Sequence, residues 1–359
     1  MNHIQNSQTS LAIGLTYNLK RTQADLNGDN DSESEFESET TLQAISSALE
    51  SLGHRVQRIE NTPDLPRTIL NSHLDLIFNL AEGFRGRARE AQVPAFLDLI
   101  GIEYTGSDAA TLVVCLDKFL AKQVVQQAGV HTPASFILSK ETDLIPNPLK
   151  YPVIIKPLLE GSSKGIHPHS VVLNSEDLKR VALNSMKKYQ QAVLVEEYIS
   201  GRELTVGVLQ DQTTTLLPPL EIIFRNKKIN HPIYTFEHKQ NFHPDIEIEV
   251  PAKLTETELK YVQETTLKCF TALGCRDIAR MDFRLSEEGF LYFIECNPIP
   301  GIAPDWSDLC QITRAAGISY VELIQRILAP AIKRRHLALK ANQTSSSGID
   351  QLSLLPLLD

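Results

Sequence analysis

Two short stretches hold residues able to do chemistry at useful spacing. They are Asp277-Ile-Ala-Arg280-Met-Asp282-Phe-Arg284 and Phe290-Leu-Tyr-Phe-Ile-Glu295-Cys-Asn297-Pro298. Both are rich in aromatic and β-branched residues and are joined by Ser286-Glu-Glu-Gly289, so they read as two strands and a turn. Strand alternation puts Arg280 and Asp282 on one face of the first, and Glu295 and Asn297 on one face of the second. Paired as a hairpin, they gather two carboxylates, an amide oxygen and a guanidinium. Hard oxygen donors of this kind suit Mg²⁺, which completes its shell with water and substrate phosphates. A surface hairpin with a structural Arg–Asp pair would carry the same residues.

Lys156 ends the apolar run Tyr151-Pro-Val-Ile-Ile-Lys156 and precedes Pro157. An ammonium buried without a partner costs several kcal/mol, on the order of a buried unpaired charge. A phosphate is one partner, and the Gly161-Ser162-Ser163 loop offers N–H and hydroxyl donors for it. The G-x-x-x-x-G-K-[ST] order of a P-loop is absent. Taken singly, Lys118 reads as a solvated helix lysine and Lys239 is uninformative. Glu196 and Glu197 fall on opposite faces of one strand, so one faces a cleft and the other solvent. Glu203 opens the next strand.

Positioning these groups requires an α/β chain. Leu11–Tyr17, His54–Ile59 and Leu74–Leu80 read as strands, and Thr40–Leu52 and Ala91–Ile100 as helices, an alternation that implies a parallel β/α unit. The acidic run Asp25–Glu35 reads as a flexible, solvated loop, although strand-to-helix loops are where α/β sheets place ligands. One long helix is expected over Asp108–Ala128. Antiparallel-looking strands follow at Tyr151–Pro157, Val193–Ile199 and Glu203–Leu209, with a helix at about Glu176–Tyr189. Glu256–Leu273 reads as an amphipathic helix, Ser307–Ala316 and Ser319–Leu328 as two more, and residues after about Ala338 as a loose tail.

Composition narrows the function. The 359 residues are 42% hydrophobic and 22% charged, ample for a globular core of two or three domains. A net charge of −9 argues against nucleic acid as a partner. The five cysteines show no C-x-x-C pairing, which favours reduced thiols in the cytoplasm over a disulfide framework. No apolar run reaches the ~18 residues of a membrane span, and the polar start is not a signal peptide. His167-Pro-His169, the one close histidine pair, reads as loop chemistry rather than a zinc site.

Taken in order over about residues 74–330, the motifs resemble the ATP-grasp superfamily, and most closely the D-alanine–D-alanine ligase family. They are Asn79-Leu-Ala-Glu-Gly83, Gln92-Val-Pro-Ala95, Tyr104-Thr-Gly-Ser107, Asp117-Lys118, Val153-Ile-Ile-Lys156-Pro157 and Glu160-Gly-Ser-Ser163, followed by Val195-Glu-Glu-Tyr-Ile199, Gly201-Arg-Glu203, Leu273-Gly-Cys275, Ala279-Arg-Met-Asp282 and Glu295-Cys-Asn297-Pro-Ile-Pro-Gly301. The resemblance implies three domains (1–107, 108–210 and 211–335, then a tail over 336–359), with ATP between the second and third. It assigns Lys118 and Lys156 to the phosphates, and Ser162 and Ser163 to a loop closing over them. Glu196, Glu197 and Ile199 are given to adenine, Glu203 to the ribose and Lys239 to the γ-phosphate. Asp282, Glu295 and Asn297 are given two Mg²⁺ ions (or Mn²⁺), and Arg280 with the Gly301 N–H the oxyanion. A homodimer is also implied.

The substrate segments depart from the family. Gly14-Leu-Thr-Tyr-Asn-Leu-Lys20 replaces the glycine-rich loop after the first strand, with Glu33 or Glu35 as candidate substitutes for the family's Ser-x-Glu-x-Glu carboxylate. Gln240 stands where the family has Tyr, and Trp306 stands near its carboxylate-binding Ser. A retained engine with rewritten pockets favours a changed substrate. The leading expectation is the branch of the family that makes mycosporine-like amino acids, in which an enaminone oxygen of mycosporine-glycine is phosphorylated and displaced by an amino-acid amine. The alternatives are a true D-alanine–D-alanine ligase or another dipeptide ligase acting on a carboxylate. A non-catalytic nucleotide-binding regulator is disfavoured by the intact Lys156, Arg280, Asp282, Glu295 and Asn297.

Overall fold

The structure is a computed structural model that describes residues 10–21, 31–143, 150–226, 229–240 and 245–349. Its first portion alternates strand and helix: β1 (Ala12–Tyr17), α1 (Glu39–Ser51), β2 (Arg55–Glu60), α2 (Leu65–Asn71), β3 (Leu76–Leu80) and α3 (Gln92–Ile100). The three strands form a parallel sheet in the order β2-β1-β3, as the alternating pattern implied. Ser38 caps α1 by accepting the N–H of Thr41, and Leu42, Ile45 and Leu49 turn one stripe of that helix onto the sheet.

The next portion comprises α4 (Ala109–Leu116), α5 (Lys118–Gln127), β4 (Ser135–Leu138), β5 (Val153–Pro157), β6 (Val171–Val172), α6 (Ser175–Tyr189) and β7 (Val193–Glu197). The single helix expected over Asp108–Ala128 is two. Asp117 leaves helical geometry (φ −82°, ψ 96°), and its carboxylate accepts the Leu120 N–H, so it ends α4 and caps α5. Continuous hydrophobic spacing concealed that break. The strands pair in the order β4-β7-β5-β6, with Val153, Ile155, Val193 and Val195 packed on Leu178 and Val181 of α6.

The remaining elements are β8 (Gly201–Gln210), β9 (Thr214–Leu216), β10 (Leu220–Phe224), α7 (Phe236–Gln240), β11 (Ile246–Glu249), α8 (Glu256–Ala272), β12 (Ile278–Ser286), β13 (Leu291–Asn297), α9 (Asp308–Ala315) and α10 (Tyr320–Ile349). The large sheet runs β11-β10-β8-β12-β13, with β9 also paired to β8. Strand β8, grouped by the sequence with the segment before it, therefore belongs to the sheet that follows. Val206, Val208, Met281, Phe283 and Phe293 are fully buried between this sheet and Val262 and Phe270 of α8. Each such side chain contributes about 1.5–3 kcal/mol.

The expected loose tail is also corrected. Helix α10 continues through Pro330 to Ile349 rather than ending at Leu328. Arg334 bonds both carboxylate oxygens of Asp277 (2.7 and 2.8 Å) and the Tyr104 carbonyl, while Arg335 bonds the Asp75 carbonyl at 2.9 Å. These ties hold the helix at Arg334 and Arg335 against Asp75, Tyr104 and Asp277, and periodicity within the helix cannot show them.

Candidate active site

Strands β12 and β13 are antiparallel, with Arg280 opposite Asn297 and Asp282 opposite Glu295. The hairpin read from alternation therefore does bring the four groups together. A register shift after Asp282 adds a local bend next to this cluster. Asp282 accepts from the Thr205 hydroxyl (2.8 Å) and from Arg280 Nη2 (3.1 Å). Asn297 Oδ1 accepts the Ile299 N–H at 3.0 Å. Arg280 also lies 3.9 Å from Asp308, and its buried Nε has no hydrogen-bond partner among the described residues.

Charge balance keeps the two carboxylates unlike. Burial pushes Glu295 up, but Lys118, Lys239, Lys156 and Arg280 outweigh it and hold the carboxyl at about 2. Burial raises Asp282, opposed by Arg280 and reinforced by Glu295. An ionised Glu295 beside Asp282 and the Asn297 amide is an all-oxygen donor set, which fits Mg²⁺ or Mn²⁺ rather than a thiophilic metal.

Lysines surround this hairpin. Lys118, at the first turn of α5 rather than mid-helix, bonds the Glu160 carbonyl and lies 3.9 Å from Glu295. Lys156 is paired with Glu196, whose second oxygen is 3.2 Å from Lys122. The partner required by a buried Lys156 is therefore Glu196 in this state. Glu196 is the inward-facing member of the Glu196–Glu197 pair, and Glu197 is only half-buried. Burial raises Glu196, yet Lys122 and Lys156 hold it below the usual carboxylate range. Lys122 escaped the sequence reading. Its four-residue spacing from Lys118 on one helix face was the available signal.

The Gly161–Gly165 loop is held from an unexpected side. Ser162 and Ser163 both adopt left-handed backbone (φ 50° and 58°), a conformation that non-glycine residues rarely accept. Glu35 accepts the Gly161 N–H at 2.6 Å, Asp31 accepts the Gly165 N–H at 3.0 Å, and the Ser163 hydroxyl donates to the Tyr234 carbonyl at 3.1 Å. Asp31 and Glu35, at the end of the acidic run, are therefore buried partners of this loop and not parts of a solvated one. Residues 22–30 lie outside the described residues. Glu35 also pairs with Arg89 at 2.8 Å, and Glu82, Glu90 and Glu160 lie 3.7, 3.7 and 3.8 Å from the same guanidinium. Gly83 is required here, since a Cβ on it would lie 2.3 Å from the Arg89 carbonyl. Asp31 and Arg89 were not singled out from sequence.

Two cavities meet at the hairpin. The larger, about 180 Å³, is walled by Lys20, Glu35, Phe36, Glu37, Glu82, Ser162, Arg280, Asn297, Gly301 and Trp306. The other, about 80 Å³, is walled by Lys156, Ser163, Glu196, Glu197, Ile199, Glu203, Asp282 and Glu295, with Ile154, Ile166, Phe283 and Ile294 as its apolar lining. Tyr234, Lys239 and Asp308 line both. Lys239 lies on α7 with its ammonium 5.2 Å from the Tyr234 ring centre. Glu203 pairs with Arg284 at 2.8 Å. Trp306 is 49% exposed, so it is cavity wall and not core. Of Gly14–Lys20, the first four residues are strand and Lys20 lines the larger cavity. Glu33 accepts the Arg21 N–H at the surface, leaving Glu35 as the carboxylate at the cavity. His167 pairs with Glu237 at 2.6 Å and stacks on His169.

Fold and sequence relatives together make this chain an ATP-grasp carbon–nitrogen ligase of the ADP-forming kind. A sequence profile described as "D-ala D-ala ligase C-terminus" matches residues 124–329. The D-alanine–D-alanine ligase of Aquifex aeolicus is 33% identical over 290 residues, covering 80% of this chain and 93% of its own. The vancomycin/teicoplanin A-type resistance protein VanA of Enterococcus faecium is 31% identical over 265 residues, covering 73% and 74%. The crystal structure of D-alanine–D-alanine ligase from Bacillus anthracis complexed with ATP shares the fold. Its TM-score is 0.72 at 22% identity, covering 92% of this chain and all of that one. The chain belongs to the D-alanine–D-alanine ligase family. No helix among the described residues is long and apolar enough to cross a membrane.

Proposed function

We propose that this enzyme uses ATP and Mg²⁺ to join two amino acids, with D-alanine as the first substrate to test. The observation that carries the reading is the hairpin that puts Asp282 and Glu295 in one cavity and Arg280 and Asn297 in the other, the two cavities sharing Lys239. The smaller cavity takes the nucleotide. Glu197 and Ile199 with the backbone at Glu196 hold adenine along β7, Glu203 holds the ribose, and Lys118, Lys156, Ser162, Ser163 and Lys239 hold the phosphates. Magnesium held by Asp282, Glu295 and Asn297 would offset charge on the β- and γ-phosphates.

The larger cavity takes the amino acids. It presents Glu35 for an ammonium, and Lys20 and Arg280 for a carboxylate. A carboxylate oxygen attacks the γ-phosphorus, ADP departs, and an acyl phosphate remains. The neutral amine of the second amino acid then attacks the acyl carbon. Arg280 and the Gly301 N–H donate to the oxyanion as it forms, and phosphate leaves with the C–O bond. Losing one such donor costs ~10²–10³ in rate.

A second reading rests on Phe36, Ile299 and Trp306 in the same wall. An aromatic, apolar lining favours a ring-bearing acceptor such as the enaminone of mycosporine-glycine. One screen decides between them: ADP and phosphate release with D-alanine alone, with other amino-acid pairs, and with mycosporine-glycine plus an amine. Turnover with D-alanine alone supports the first reading, and turnover only with the enaminone supports the second. No ADP formation with any of them would overturn both.

A further inference from the structure

Behind the site hairpin lie three thiols that ligation chemistry leaves unused. Cys115 on α4, Cys275 in the turn after α8 and Cys296 on β13 are all reduced and buried. Their sulfurs lie within 4.8 Å of one another, and those of Cys275 and Cys296 are 3.6 Å apart. Three thiolates around one ion at a Zn–S distance of ~2.3 Å and trigonal angles stand about 4.0 Å apart. The observed spacing, 3.6 Å for one pair and at most 4.8 Å for any, admits that value.

We propose that Cys115, Cys275 and Cys296 form a trithiolate site for a thiophilic d¹⁰ cation such as Zn²⁺ or Cu⁺. Soft sulfur donors select such ions over Mg²⁺, so this site and the oxygen-lined hairpin do not compete for the same metal. On binding, each ligating thiol gives up its proton to solvent, and three metal–sulfur bonds replace three S–H bonds. Access is available from the catalytic side. Cys115 and Cys296 share a small cavity with Lys118, Glu160, Gly161, Glu295 and Asn297. The three ligands come from separate elements, so a bound ion clamps α4, the α8–β12 turn and β13 behind the hairpin. The two remaining cysteines, Cys269 and Cys310, lie outside the cluster and serve as internal references.

The test uses the full-length, fully reduced chain titrated with Cd²⁺ alone. An ultraviolet thiolate-to-cadmium charge-transfer band should rise and saturate at one ion per chain. In the same wild-type protein, Zn²⁺ should displace the bound Cd²⁺ and abolish the band. Cys275→Ser and Cys115→Ser should each lose the saturable band while keeping wild-type circular dichroism, and Cys310→Ser should retain it. No saturable band in wild type, or a band that excess Zn²⁺ leaves unchanged, would overturn the proposal even if a variant failed to fold. So would an undiminished band in a folded Cys275→Ser protein.

Discussion

Glu35 Oε1 accepts the backbone N–H of Gly161 at 2.6 Å, across 126 residues of sequence. The same carboxylate is bound by Arg89, so the segment leading into α1 is tied to the small-residue loop through a buried ion pair. A Cβ on Gly161 would stand 2.8 Å from that oxygen, which gives the glycine a reason beyond flexibility. Asp31 makes the matching tie at Gly165 and also accepts from the Tyr189 hydroxyl at 2.5 Å. Two carboxylates thus occupy amides of a loop assigned above to phosphates, and they latch it in this state.

This latch predicts a protease effect. Lys164 is a tryptic site in the loop, half-buried and paired with Glu160 at 2.8 Å. Asp31→Ala and Glu35→Ala should each expose it, because a hydrogen bond to a charged group is worth about 1.5–3 kcal/mol. Cleavage after Lys164 should speed up by roughly 10-fold or more in both variants. Digestion rates equal to wild type would remove the latch.

Glu295→Ala removes the carboxylate that four cations hold ionised. Turnover should fall by at least ~10²–10³, since a bound metal supplies several kcal/mol of charge stabilisation to phosphoryl transfer. Far-UV circular dichroism should be unchanged. Full Mg²⁺-dependent ADP release by this variant would refute the metal assignment.

Glu196 neutralises both Lys122 and Lys156, and its side chain is only 1% exposed. Glu196→Gln should therefore destabilise the fold by about 3–5 kcal/mol, the cost of stranding buried charge. Adding Lys122→Met should recover part of that loss, because one ammonium no longer needs a partner. Urea midpoints of the single and double variants measure the coupling, and strict additivity would argue against it.

The pH dependence follows from Glu37. Burial raises its carboxyl from 4.5 to about 7, against the Thr41 hydrogen bond and Lys20. The folded protein therefore holds this proton more tightly than the unfolded chain. The stability it contributes is complete below about 4.5 and is lost as pH rises through about 7. Glu37→Gln mimics the protonated form, so it should match wild type at pH 4 and exceed it at pH 8 in urea unfolding. A gain of the same size at both values would mean that ionisation is not the cause.

The sequence alone determined the parallel first sheet, the β12–β13 hairpin and the face on which Arg280, Asp282, Glu295 and Asn297 meet. All of these rest on local periodicity: two residues per strand repeat, about 3.6 per helical turn, and a short turn joining neighbours. The ordered motifs placed the chain in its family for the same reason, since they are local strings. Only the tertiary structure decided that Lys156 answers to Glu196, that Lys122 joins them, and that Asp31 and Glu35 grip the Gly161–Gly165 loop. It alone revealed the Arg89 cluster, the gathered Cys115, Cys275 and Cys296, and the continuation of α10 past Pro330. Each of these depends on a contact between groups far apart in the chain. The energy that selects such a contact is desolvation balanced by a distant charge or carbonyl, and no local pattern encodes it.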